Sequence, residues 1–144
     1  MFVYKYFQDS LLSFVNKMPR HEDVPLPITK RILRDALRGL ATLHEKRNLH
    51  MDVRPENIMI NWDKTKRDVV IREVQLADLE SVLPLLDGGV LDISIVWGET
   101  NDWMWRSPEA HLDSYVYEPS NIFSFGLVVS LSHSHYCNPI SLIL

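Results

Sequence analysis

The sequence predicts a mainly α domain of the α+β class, a helical bundle carrying small β-hairpins. Three observations predict it. An apolar stripe of helical period runs from about Ile28 to Lys46. A second apolar helix is signalled from Ile122 to Leu131. Between them lie only short runs of strand character, Asn57 to Asn61, Val69 to Ile71 and Glu73 to Ala77.

The elements follow in order. Residues 1–7, MFVYKYF, read as a short strand, broken by Gln8-Asp9-Ser10. Ser10 stands where an N-cap opens the helix Leu11 to Val15. Met18 to Pro27 holds three prolines and is loop. In the long helix, Ile28, Ile32, Leu33, Ala36, Leu37, Leu40 and Leu43 form the apolar stripe. Lys30, Arg31, Arg34, Asp35 and Arg38 fill the other side as a solvated face. Lys46, Arg47 and Asn48 end the helix, with Asn48 suited to a left-handed backbone. Asp63 to Asp68 is a polar turn between strands, and residues 80–104 are irregular. Ser107-Pro108-Glu109 is a helix entry. After Leu131, the polar run Ser132 to Pro139 breaks the last helix.

Composition narrows the function classes. The chain has 144 residues, 46% hydrophobic and 24% charged, enough for one domain with a real core. A net charge of −4 gives no electrostatic footprint for nucleic acid or an anionic membrane. One cysteine, Cys137, excludes an internal disulfide within the chain and suits a reducing, intracellular compartment, cytoplasmic or nuclear. His133, His135 and Cys137 lack a fourth ligand nearby and read as an incidental tail. Trp97, Trp103 and Trp105 interleave with acids, not with the cations a base-stacking platform needs. No run of 18 apolar residues exists, so no membrane-spanning helix is expected. The five glycines build neither G-x-G-x-x-G nor a phosphate loop ending in G-K-[ST].

The chemistry concentrates in His50-Met51-Asp52-Val53-Arg54-Pro55-Glu56-Asn57, with Asp78 after the strand at 74–77. Asn57 offers an amide oxygen and Asp78 a carboxylate, the hard donors that Mg²⁺ takes alongside substrate phosphates. Asp52 can accept a proton from an attacking hydroxyl, and Arg54 can face a transferring phosphate. Those are the parts phosphoryl transfer needs.

These residues resemble a known family. HMDVRPEN resembles the protein-kinase catalytic loop H-R-D-L-K-P-E-N. Ala77-Asp78-Leu79-Glu80 stands where the D-F-G segment belongs, and Trp105 to Glu109 is similar to the A-P-E end of the activation segment. Asn121 to Gly126 resembles the D-x-[WF]-S-[FL]-G start of a large buried helix. Tyr4 to Phe7 is similar to the last strand and hinge of the N-lobe. The whole resembles a fungal group of protein-kinase-like chains, over roughly residues 2–131. The resemblance implies a Ser/Thr-type kinase using ATP and Mg²⁺ on a protein substrate. It implies Asp52 as catalytic base, Arg54 in the place of the catalytic-loop lysine, Asn57 and Asp78 as metal and ATP ligands, and Phe7 beside adenine. It implies a partial domain over 1–144, with a hinge strand at 1–7, a C-lobe at 10–131, an atypical tail at 132–144 and the N-lobe missing.

The departures from the pattern are specific. Met51 replaces the arginine that commonly reads a phosphorylated loop. Leu79-Glu80 replaces Phe-Gly; the leucine is expected to fill a hydrophobic spine, and the glutamate lacks glycine's backbone freedom. Asn121 replaces an aspartate that accepts hydrogen bonds beneath the catalytic loop. Glu109 is expected without the downstream arginine it pairs with in the family. Two other functions stay open: an inactive kinase-derived binding module, and a small-molecule phosphotransferase of the aminoglycoside or choline kinase type.

Overall fold

A computed structural model describes residues 5–18, 24–65, 68–85, 89–92, 103–112 and 115–134. They fall into two units, Met1–Gly39 with Pro55–Ala77, and Leu40–Arg54 with Asp78–Leu144. The expected mainly α bundle with small hairpins is not what forms. About 52% of the described residues are helical and 25% are strand, in three antiparallel sheets, so the class is mixed α and β. The reason lies in the runs read as fragments. Val69 to Ile71 and Glu73 to Leu76 join into one eight-residue strand that stops short of Ala77, because Arg72 is an extra residue between the pairs Trp62–Ile71 and Asn61–Glu73 and absorbs the break in alternation.

The first unit starts with β1 (Asp9–Ser10) and α1 (Leu11–Lys17). Ser10 caps α1 as expected, its hydroxyl accepting the Ser13 N–H at 3.2 Å. Of the strand expected over residues 1–7, the described part, Lys5 to Phe7, is outside any strand, and pairing starts at Asp9. Helix α2 (Leu26–Glu45) begins two residues before the expected Ile28, with Pro27 in its first turn. Strands β3 (Ile58–Lys64) and β4 (Val69–Leu76) complete a sheet in the order β1-β3-β4. Ile58 and Ile60 alternate into the interior, and Ile32 and Ala36 of α2 are buried as the stripe requires. Leu37, also in the stripe, is instead 41% exposed. Phe14 is fully buried and meets Trp62 edge-on, ring centres 5.2 Å apart at 79°.

Asp9 is a buried carboxylate held from three sides in this unit. Lys17 donates to it at 2.5 Å, the Ser13 hydroxyl at 2.7 Å and the Trp62 indole at 2.9 Å. Burial alone would raise its pKa, but these donors outweigh burial and hold it below the ordinary value. A carboxyl with a depressed folded pKa stabilises above its unfolded pKa, about 3.9, and loses that contribution as pH falls through the folded value. The stability gap between the natural chain and Asp9→Asn, read from denaturant melts, is therefore expected to be widest near neutrality and to narrow below about pH 4. A gap independent of pH would contradict this.

The second unit holds the last turns of α2, then β2 (Asn48–His50) paired with β5 (Val82–Pro84), and β6 (Leu91–Asp92) paired with β7 (Tyr115–Val116). Helices α3 (Pro108–His111) and α4 (Glu118–Ser134) complete it. Leu49, Leu85, Leu91, Ala110 and Val116 form one buried cluster, with Met51 and Leu83 against it. The left-handed residue after α2 is Arg47 (φ 55°), one position before the expected Asn48, whose side chain instead donates to the Lys46 carbonyl. Helix α4 outruns the expected 122–131 at both ends. Its serines do not break it, because Ser124, Ser130 and Ser132 each donate to the carbonyl four residues back. Residues 1–4, much of the irregular 80–104 stretch with Trp97, and the tail with His135 and Cys137 lie outside the described residues, as do the side chains of Trp103 and His133.

Candidate active site

The loop after β2 carries Asp52 and Arg54, and its backbone is fixed from beneath. Asn121, buried in the first turns of α4, accepts the His50 N–H at 3.0 Å and donates its amide N–H to the His50 carbonyl at 3.0 Å. This is more than acceptance alone. An amide satisfies both backbone groups of one buried residue, where a carboxylate could accept only one. His44, in the last turn of α2, adds a contact from Nε2 to the same Asn121 oxygen at 3.1 Å. Since that oxygen only accepts, His44 Nε2 is the donor. His50 is fully buried, and its Nδ1 accepts the Asp52 N–H at 3.3 Å. His50 is thus a scaffold for the turn on which Asp52 stands.

The side chains above that scaffold are half-buried. Arg54 Nε lies 3.6 Å from Asp52 Oδ2, so the cation faces the candidate base. The Met51 N–H donates to the Ser81 carbonyl at 3.0 Å, extending the β2–β5 pairing and setting this loop beside the turn that carries Asp78. Asp78 takes a left-handed backbone (φ 60°, ψ 50°), which aspartate tolerates better than most residues, and its carboxylate accepts the Ser81 hydroxyl at 3.3 Å. Glu80 sits inside the 3-10 turn Leu79–Ser81 and is not at positive φ, so the glutamate does not need the backbone freedom of glycine. Leu79 is 56% exposed and does not fill a hydrophobic spine in this structure.

Asn57 and Phe7 belong to the first unit. Asn57 closes the 3-10 turn Pro55–Asn57, and its carbonyl accepts the N–H of Ala77, the residue before Asp78, at 2.8 Å. Phe7 is half-buried, with the Lys5 ammonium 5.8 Å from its ring centre.

A second anchor sits at the start of α4. Glu109 receives the Ser120 hydroxyl, while Ser120 Oγ accepts the Tyr117 N–H at 3.2 Å. Burial would raise the Glu109 pKa, but the Ser120 hydroxyl, its own backbone N–H and Ser107 bring it below the ordinary value. So among the described residues the Glu109 carboxylate is held by Ser120. A cavity of about 30 Å³ lies between the two anchored segments, lined by Met51, Asp52, Trp105, Arg106, Ser107 and Asn121 among others. That is room for water but not for a nucleotide. Sequence reasoning missed His44 and Ser120. A histidine in a last helical turn reads as a complement to the helix dipole, and a serine in a first turn as a cap.

Comparison with known proteins agrees with this architecture. The sequence model of the family described as protein kinase domain matches residues 1–136. The chain is 28% identical to the serine/threonine-protein kinase srb10 of Schizosaccharomyces pombe over 131 residues, 88% of this chain and 32% of that protein. It is 30% identical to the serine/threonine-protein kinase ssn3 of Aspergillus clavatus, over 88% of this chain and 28% of that protein. It is 31% identical to the serine/threonine-protein kinase PknL of Mycobacterium tuberculosis, over 68% of this chain and 22% of that protein. The chain spans less than a third of the length of these relatives. With a buried asparagine clamping an H-x-D loop, and a family match over nearly the whole sequence, the chain belongs to the protein kinase domain family.

Proposed function

We propose that this domain transfers the terminal phosphate of ATP, with Mg²⁺, to serine or threonine hydroxyls of a protein substrate. The observation that carries the reading is the paired hydrogen bonding of Asn121 to His50, which holds the Asp52 loop in one shape on a buried support. A base that stays put needs no reorganisation when the hydroxyl approaches. Asp52 is the proposed base, and Arg54 orients its carboxylate and faces the phosphate. Phe7 is proposed beside the adenine. Asn57 and Asp78 are the proposed magnesium ligands, and their chemistry fits. Both offer hard oxygen atoms, and Asp78 is exposed with its carboxylate accepting the Ser81 hydroxyl at 3.3 Å. Magnesium, when bound, neutralises charge on the phosphates. The names of the relatives support the Ser/Thr acceptor class. The reading goes with a cytoplasmic or nuclear setting.

The exposed Leu79 favours a second reading, an inactive kinase-derived binding module. One experiment separates them. The natural gene product is incubated with γ-labelled ATP, with Mg²⁺ or EDTA, against serine/threonine peptides and against aminoglycosides and choline. Label on peptides only with Mg²⁺ is the expected result. Label on small molecules alone contradicts the proposal, as does no label together with no thermal stabilisation by Mg·ATP.

A further inference from the structure

Three arginines on the outer face of α2 converge on one carboxylate. Arg31 and Arg34 both reach Asp35 through Nε, the second at 3.3 Å, and Arg38 reaches it through a terminal nitrogen at 3.5 Å. All three side chains are about half exposed or more, while Asp35 is 16% exposed. Burial would raise the Asp35 pKa, but the Arg31 and Arg34 bonds outweigh it and keep it charged. Asp35 therefore orders the guanidinium groups in advance, which lowers the entropy cost of binding a further anion. Arg31 and Arg34 spend Nε on Asp35, which leaves their terminal nitrogens for another acceptor. Lys30 adds one more exposed cation beside them.

We propose that this face docks a protein segment carrying phosphoserine or phosphothreonine. The charges match. Three guanidinium groups against one carboxylate leave an excess of two, and a phosphomonoester carries about −1.5 to −2. The chemistry matches, since a guanidinium fork fits phosphate oxygens in pairs. The size matches one phosphate: Arg31 to Arg38 spans about 10 Å of helix axis. A nucleic acid presents a long row of phosphates, and a membrane presents a wide plane of them. A chain of net charge −4 repels both beyond so short a patch. The proposed docking uses none of the candidate catalytic residues and needs neither nucleotide nor base.

Fluorescence anisotropy of the whole chain with a labelled phosphoserine peptide tests the proposal. The same peptide without phosphate, a glutamate-substituted peptide, inorganic phosphate and anionic vesicles are the other arms. The phosphopeptide is expected to bind, with an affinity that falls as salt rises. Arg34→Glu with Arg38→Glu is expected to weaken binding about tenfold or more. Circular dichroism should show an unchanged fold, since both side chains are exposed. Asp52→Asn is expected to bind as well as the natural chain, so failure of this inference and failure of the proposed catalysis are distinguishable. Equal binding of peptide with and without phosphate, binding to vesicles alone, or no effect of the charge reversals would each overturn it.

Discussion

Asn121→Leu is expected to destabilise the protein by roughly 2–6 kcal/mol, because it removes the buried amide that bonds both the His50 N–H and the His50 carbonyl, at about 1–3 kcal/mol for each bond lost. Leucine keeps the branching of asparagine at Cγ but offers neither a donor nor an acceptor. Asn121→Asp separates the two bonds. The carboxylate still accepts the His50 N–H and still faces His44, but it cannot donate to the His50 carbonyl. Its expected cost is about 1–3 kcal/mol, that of one buried acceptor left unmade. Denaturant melts of the three proteins give the comparison. A leucine variant as stable as the natural chain would mean that water or another group serves His50, and the clamp would lose its standing.

Phe14→Ala is expected to cost about 3–5 kcal/mol by opening a cavity in a fully buried site. Losing the edge-on contact with Trp62 adds about 0.5–1.5 kcal/mol. Phe14→Leu keeps much of the volume without the ring and is expected to fall well short of the alanine loss. The midpoint of unfolding followed by tryptophan fluorescence reads both, with Trp62 itself reporting. A loss below about 1 kcal/mol for alanine would show that the site collapses around the gap.

What the sequence disclosed depended on how local each signal was. The Ser10 cap and the α2 stripe are set by residues a few positions apart, and both were legible. The strand content was not. Val69 to Leu76 reads as two pieces because Arg72 breaks the alternation, and that it is an extra residue in a continuous strand shows only once Asn61 and Trp62 of the other strand are paired with Glu73 and Ile71. The end of α4 was misplaced because serines that look like breakers bond back to their own helix. Of the candidate site, the residue types were visible as a resemblance. The supports were not: His44 lies 77 positions from Asn121 and Ser120 lies 11 from Glu109, and nothing in one chain announces such pairs. The position of Asp78 in the left-handed region was also hidden. The missing glycine points to Glu80, whose backbone has no need of it.

The proposed role of Asp52 is tested most directly by comparing Asp52→Asn with the natural gene product in single-turnover transfer from Mg·ATP to a serine peptide. Asparagine keeps the shape and the contact with Arg54 but has little affinity for a proton. A rate lowered by about 10²–10⁴-fold, with nucleotide affinity little changed, is the predicted outcome. Undiminished transfer by the asparagine protein would show that the hydroxyl gives up its proton elsewhere.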